Sequence, residues 1–200
     1  MPDLSRYREK RDFRRTPEPR GRKGRPRKSG LLFVVQRHAA RVEHYDLRLE
    51  IGGVLASWSV PKGPSTDARD RRLAIQTEDH PLQYADFEGR IPAGEYGGGV
   101  MIIWDRGQYR NLREGMDMAQ CRDEGRIDIR LEGEKLTGAW SLRRTGGQGE
   151  RSRWLLLKRK GDGADARRDP LRFEPQSVVS GRTLEELLRP ASGGSRTRTR

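Results

Sequence analysis

The chain has 200 residues, of which 32% are hydrophobic and 36% charged, with a net charge of +13. This suits one domain with polar arms and leaves no room for two full-sized cores. No run of 18 apolar residues occurs, so a transmembrane helix is excluded, and the opening MPDLSRYREKRDFRR lacks the apolar stretch of a secretory signal. Cys121 is the single cysteine, which rules out an internal disulfide or a cysteine zinc cluster and leads us to expect a reducing cytoplasm.

The charge is concentrated at the ends. Residues 1–30 hold twelve Lys/Arg against four Asp/Glu, and residues 189–200 hold four Arg and no acid, which leaves +1 of the +13 for residues 31–188. Basic arms around a balanced middle usually follow a polyanion, most commonly nucleic acid. The segment TPEPRGRKGRPRKSG mixes Pro, Gly and Arg without apolar periodicity and reads as extended linker. The expected organisation is a basic, partly extended arm over 1–30 that can fold onto the active site. A barrel domain follows over 31–160, then a C-terminal extension over 161–200 with a short helix and a basic tail.

From residue 31 the pattern changes. FVVQRH, YDLRLEI, VLASWSV, RLAIQT, VMIIWD, RIDIRLEG, GAWSLRR and RWLLLKRK are short runs rich in β-branched and aromatic residues, several with the period-2 alternation of half-buried strands. Gly52-Gly53 between the second and third runs signals a hairpin. Many closely spaced strands without a long helical pattern predict an all-β, antiparallel barrel or sandwich. Residues 91–99, IPAGEYGGG, lead into a strand rather than a helix and read as a tight turn with a glycine bulge, not a phosphate loop. Trp104, Trp140 and Trp154 sit inside apolar runs and read as core. One helix is expected, over 183–188, capped by Thr183.

The chain contains three histidines, His38, His44 and His80. The first two stand in H-x5-H-x-D, completed by Asp46, a donor set that suits Mn, Fe or Zn and leaves coordination positions open. On a strand, His44, Asp46 and Arg48 share one face while Tyr45, Leu47, Leu49 and Ile51 share the other. In RLAIQTEDH, the residues Arg72, Glu78 and His80 share one parity if the strand runs through, with Leu73 and Ile75 opposite. Two strands would then each offer a His, a carboxylate and an Arg. Arginine forks beside a divalent ion fit phosphoester hydrolysis better than carbonyl chemistry.

Longer blocks carry a family resemblance. FVVQRHAARVEHYDLRLEIGGVLASWSVPKGPS, LAIQTEDHPLQYADFEGRIPAGEYGGG and WDRGQY closely resemble the 3′-phosphoesterase domain of bacterial DNA ligase D, a module that also exists free-standing; the likeness covers about residues 4–160. RDFxxTPEP, from Arg11 to Pro19, is also similar to the family pattern. The resemblance implies a compact, closed antiparallel β-barrel. It implies a manganese-dependent enzyme of double-strand break repair that removes a 3′-terminal ribonucleoside to leave a 3′-phosphate, then hydrolyses that phosphate to a 3′-OH. It implies that His38, His44 and Asp46 hold the metal, and that Arg11, Arg48, Arg72 and His80 contact the phosphate or support the transition state. Asp12, Glu18, Lys62, Glu78 and Tyr84 fall on further active-site positions. DNA with 3′-ribonucleotide or 3′-phosphate ends is the expected partner, with a DNA ligase or end-joining proteins, and the protein is expected to be a cytoplasmic monomer.

Two other readings compete. His44, Asp46 and a distant His80 also match the two-histidine, one-carboxylate triad of Fe(II) and 2-oxoglutarate oxygenases, with Arg90 for the co-substrate carboxylate, but His38 is then idle and the basic arms are unexplained. The other is a non-catalytic nucleic-acid-binding barrel with a structural metal.

Overall fold

A computed structural model describes residues 3–21 and 30–189. Nine strands and a few short helices make up the regular structure of the described residues. The strands are β1 (Leu31–Ala39), β2 (Glu43–Ile51), β3 (Val54–Val60), β4 (Arg72–Gln76), β5 (Gly89–Ile91), β6 (Gly99–Asn111), β7 (Arg126–Gly133), β8 (Thr137–Gly146) and β9 (Arg153–Lys158). Neighbours run β1-β2-β3-β4-β9-β8-β7-β6, and β6 pairs back onto β1, so eight antiparallel strands close a barrel with β5 added along β6. Closure leaves no free edge along these eight strands. Of the two architectures the sequence left open, the chain forms the barrel.

The Gly52-Gly53 hairpin forms as expected. Both glycines have positive φ, 60° and 84°, and Ile51 pairs with Val54 across the turn. Inward-facing side chains make the main core, with Phe33, Leu47, Leu49, Trp58, Trp104, Trp140, Trp154 and Leu156 among its members, so the three tryptophans are core as read. Met118 and Cys121 of helix α2 (Met118–Glu124) join this core, and Leu171 of α3 (Pro170–Phe173) packs against it. Gly63 beside Leu171 has φ +65°, and a Cβ there would come within 2.7 Å of Leu171 Cδ1 and 2.9 Å of Tyr45 Cδ2, so only glycine fits.

A second, smaller core lies on the outside of the barrel wall. Val34, Leu55, Met101 and Ile103 are covered there by Tyr7 of α1 (Ser5–Glu9) and by Tyr84 and Ala85 of a 3-10 turn, Leu82–Asp86. The N-terminal segment 3–21 therefore lies against the barrel with Tyr7 fully buried, while residues 22–29 of the linker reading lie outside the described residues. At the other terminus α4 (Leu184–Leu188) is capped by Thr183, whose side chain accepts from the Glu186 backbone N–H in a reciprocal capping box. The basic tail beyond Arg189 lies outside the described residues. No helix among the described residues is long and apolar enough to cross a membrane.

Candidate active site

The site is built on the outer face of β1 and β2. Tyr45, Leu47, Leu49 and Ile51 point into the main core, so the period-2 geometry of β2 sends His44, Asp46 and Arg48 outward. His38 pairs with His44 across the β1–β2 ladder, and Gln36 pairs with Asp46, which places all of them on one surface. Donor atoms of His38, His44 and Asp46 lie within 4.8 Å of one another.

The imidazoles are aimed by their backbone contacts. His44 Nδ1 meets the Val42 carbonyl at 2.9 Å, which turns Nε2 toward Asp46 Oδ1 at 3.6 Å. His38 bonds the Gly97 backbone, while its buried Nε2 has no hydrogen-bond partner among the described residues. A buried polar nitrogen is seldom left orphaned, and this one belongs to a ring whose donor atom lies within 4.8 Å of those of His44 and Asp46. Burial lowers the His38 pKa, outweighing the opposing pull of Asp46, so the ring is kept in the neutral form that binds metal. The donor set therefore fits a divalent transition metal.

Arg48 is held by three partners. Its Nε donates to Gln36 Oε1 at 2.7 Å, Nη1 to Ser57 Oγ at 2.9 Å and Nη2 to Asp46 Oδ2 at 2.9 Å. The last bond orients a metal-type carboxylate from behind. Arg11, whose side chain is 4% exposed, donates from Nε to Glu18 Oε1 at 2.8 Å and from Nη1 to Glu78 Oε1 at 3.2 Å. Glu18 also accepts from Tyr84 Oη at 2.9 Å and from Thr16 Oγ1 at 2.8 Å. Burial opposes the Glu78 charge, but Lys10 at 2.9 Å and Arg11 reverse this and bring its pKa below the usual carboxylate value.

His80 sits between the two guanidiniums, with Arg48 Nη1 3.0 Å from Nδ1 and Arg11 Nη2 3.3 Å from Nε2. Arginine only donates and the Glu78 carbonyl only accepts, so the tautomer that serves both has the Nε2 lone pair facing Arg11 and Nδ1–H donating to Glu78 O at 2.9 Å, with Arg48 Nη1 in close approach to Nδ1 but not hydrogen-bonded to it. Burial first, then the charges of Arg48 and Arg11, push the His80 pKa well below its ordinary value. This fully bonded ring stands apart from the donor cluster, which forms with His38 instead. Arg90 is exposed and donates to the Leu187 carbonyl.

The resulting cleft, about 200 Å³, is lined by Arg11, His38, His44, Asp46, Arg48, Glu78, His80 and Tyr84, with Tyr96 and Gly97 on one wall. Glu18 joins it through Arg11 and Tyr84. Nine of the twelve expected residues thus come together, while Asp12, Lys62 and Arg72 do not. Asp12 lies on the surface, paired with Arg14. Lys62 and Arg72 line a different cleft of about 560 Å³ with Tyr45 and Arg168.

The shared parity of Arg72, Glu78 and His80 fails for a definite reason. Strand β4 stops at Gln76, and Trp58 pairs with Gln76 whereas Leu55 bridges His80, so the chain gains one residue between the two pairings. That bulge turns His80 to the outer face while Arg72 keeps the inward parity of Ala74, opposite Leu156. Sequence reading missed Gln36, Ser57, Lys10, Thr16 and Tyr96. Gln36 and Ser57 were within reach of the signal, since Gln36 shares the parity of His38, and Ser57 pairs with Arg48 once the Gly52-Gly53 hairpin fixes the register. Lys10 and Thr16 lie in a segment with no strand period.

A family model for the DNA ligase D 3′-phosphoesterase domain matches residues 36–144. The chain is 51% identical over 187 residues to the multifunctional non-homologous end joining protein LigD of Pseudomonas aeruginosa, covering 90% of this chain and 22% of that protein. It is 45% identical over 160 residues to the LigD DNA repair protein of Mycobacterium tuberculosis, covering 78% and 20%. With the LigD of Mycolicibacterium smegmatis the figure is 41% over 181 residues, covering 89% and 23%. The chain spans about a fifth of the length of these relatives. On the match to residues 36–144 and these identities, the chain belongs to the DNA ligase D 3′-phosphoesterase domain family.

Proposed function

We propose that this chain is a manganese-dependent phosphoesterase that repairs DNA 3′ ends for non-homologous end joining. It removes a terminal ribonucleoside to leave a 3′-phosphate and then hydrolyses that phosphate to a 3′-OH. The observation that carries this reading is the donor cluster of His38, His44 and Asp46, with the buried Nε2 of His38 left without a hydrogen-bond partner among the described residues and Arg11, Arg48 and His80 in the same cleft.

His38, His44 and Asp46 would hold the ion, which supplies Lewis-acid polarisation of a phosphoryl oxygen and a more acidic water. The charge balance agrees. Lys10, Arg11 and Arg48 offset Glu18, Glu78 and Asp46, so a divalent ion brings the site to +2, the counterpart of a phosphate monoester dianion. Arg48 and Arg11 stand ready as donors to the nonbridging oxygens, and their carboxylate partners keep the forks in place before substrate arrives. Neutral His80 offers the Nε2 lone pair between them. A bound phosphate raises its proton affinity again, so His80 accepts a proton only with substrate in place.

The protein acts in this reading as a cytoplasmic monomer on DNA ends, with a DNA ligase or end-joining proteins downstream. Ribonucleoside removal, unlike phosphate removal, is expected to need the terminal 2′-OH, with Glu78 or Tyr84 reading it, because a site built to hydrogen-bond a hydroxyl rejects its absence strongly. The test is a 5′-labelled strand carrying one 3′-ribonucleotide, resolved with and without Mn(II). Appearance of the shortened 3′-phosphate and then the 3′-OH supports the proposal. An unaltered strand at saturating Mn(II), or binding that survives chelation with no change at the end, overturns it. Equal trimming of all-deoxy ends contradicts the 2′-OH requirement.

A further inference from the structure

The chain has five tyrosines. Four are in the protein interior: Tyr7, Tyr45, Tyr84 and Tyr109 are at most 6% exposed. Tyr96 is 47% exposed and lies on the wall of the cleft that holds the metal-type triad. It belongs to the stretch between β5 and β6, shaped by two successive turns in which Glu95 N bonds the Pro92 carbonyl and Gly98 N bonds the Glu95 carbonyl. Gly94, Gly97 and Gly98 around it carry no side chain that could cover the ring. The next residue, Gly97, is the one whose backbone holds His38.

The ring is nevertheless fixed in place. Its hydroxyl lies 3.4 Å from Glu78 Oε2 and 3.4 Å from Lys10 Nζ. Lys10 Nζ is 4.9 Å and the Arg11 guanidinium carbon 5.4 Å from its centroid. An aromatic held at the rim by its polar tip, and 47% exposed even with Lys10 and Arg11 beside its ring, has the make-up of a base-stacking platform. A purely structural tyrosine would gain by burying that ring.

We infer that Tyr96 stacks on the base of the nucleoside whose 3′-oxygen bears the reacting phosphate. This rests on the proposed phosphoesterase reading and adds a seat for the strand itself. That nucleoside is the one directly bonded to phosphorus in both reactions, and the ring stands beside Arg11, a proposed phosphate donor. Stacking is indifferent to base identity because every base offers a π face. The seat would therefore accept any 3′-terminal sequence, and Tyr96 is a positioning residue for the end.

Substrates with and without that base separate the possibilities. With wild-type protein, an abasic site at that nucleoside should raise KM about tenfold in both reactions with kcat little changed. Tyr96→Leu should raise KM about tenfold on the intact strand and show no further loss on the abasic one, while Tyr96→Phe behaves as wild type. Equal abasic penalties in Tyr96→Leu and wild type would overturn the inference. So would a Tyr96→Phe as impaired as Tyr96→Leu, which would assign the effect to the hydroxyl contacts, or an effect confined to the base of the departing nucleoside. If wild-type protein releases neither product, the phosphoesterase reading fails, and the inference is judged by binding. Fluorescence of 2-aminopurine at that nucleoside should then be quenched by wild type and not by Tyr96→Leu, and equal quenching by both would sink it.

Discussion

Along β2, Leu47 and Leu49 enter a dry core of tryptophans and leucines, while Asp46 and Arg48, one residue away, enter a buried layer of charge on the opposite side. The two faces differ in how they are made. The inward face closes on itself through the barrel, chiefly by apolar contact. The outward face needs a lid: Arg11, Glu18 and Tyr84 arrive from outside the barrel and satisfy one another's charges. Adjacent residues on one strand thus face separable environments, an apolar core on one side and the proposed site on the other.

Substitutions should expose this division. The largest effect is expected for His44→Ala or Asp46→Ala, each lowering both 3′-end reactions by more than about a hundredfold at ordinary Mn(II), since even orienting partners of ligands are worth 10–100-fold. Calorimetric Mn(II) titration should show the lost affinity, and a variant that still turns over fully would remove the metal assignment. Arg11→Ala should lower kcat about a hundredfold, the scale of one lost transition-state donor. It also takes the guanidinium from the buried Glu18 carboxylate, while Glu78 keeps Lys10, so a drop of about 3–5 kcal/mol in stability should accompany it. Arg25→Ala, outside the described residues, should change apparent affinity alone, flattening the salt dependence by about 0.7 per charge on single strands. Equal, small effects of the two on affinity would make the arm a tether.

On the inward face the balance reverses. Leu49→Ala should cost about 2–5 kcal/mol in urea melts and spare kcat per folded molecule. A smaller effect sharpens the contrast through pH. Asp105, inward-facing, accepts backbone N–H bonds from Glu134, Lys135 and Leu136, yet burial raises its pKa to about 6 from 3.8. A carboxyl with a raised folded pKa contributes stability present at low pH and lost as pH rises through about 6. His80 works the other way: the unfolded ring takes up its proton near 6.5 and the folded one does not, so its contribution is lost as pH falls below that value. Asp105→Asn should therefore lose about 1 kcal/mol more than wild type between pH 7 and pH 5, on top of any constant offset. Parallel curves would show that Asp105 titrates normally.

The strands, the Gly52-Gly53 hairpin, the core tryptophans and the Thr183 cap were legible because each rests on local chemistry: period, turn residues or a hydroxyl at an N-terminus. The H-x5-H-x-D motif was legible through its ligand chemistry and the shared parity of His44 and Asp46, whereas the pairing of His38 with His44 is a register that the structure adds. Arg72 was not, because one extra residue before His80 inverts a parity that composition cannot reveal. Residues 3–21 have the composition of an arm because their burial depends on a few apolar side chains and a charge network whose partners lie some 70 positions away. Helix α2 carries its end signals but little else that the sequence can show. Asp117 and Gln120 form a capping box and Gly125 ends it in the left-handed region, but seven residues are too few to show an apolar stripe.

The docking of segment 3–21 has a consequence for dynamics. Its apolar anchorage is mainly Leu4 and Tyr7, whereas the barrel beneath holds the large core, so the two belong to different tiers of local stability. Excursions that lift the segment can carry away Arg11 and Glu18 while the hydrogen-bonded ladders of β1 and β2 stay closed. Amide exchange in such a protein would report two populations of opening, a shallow one that switches the site off and a deep one that unfolds the chain. Inactivation and denaturation would then be separate events, the first reversible and reached under much milder conditions.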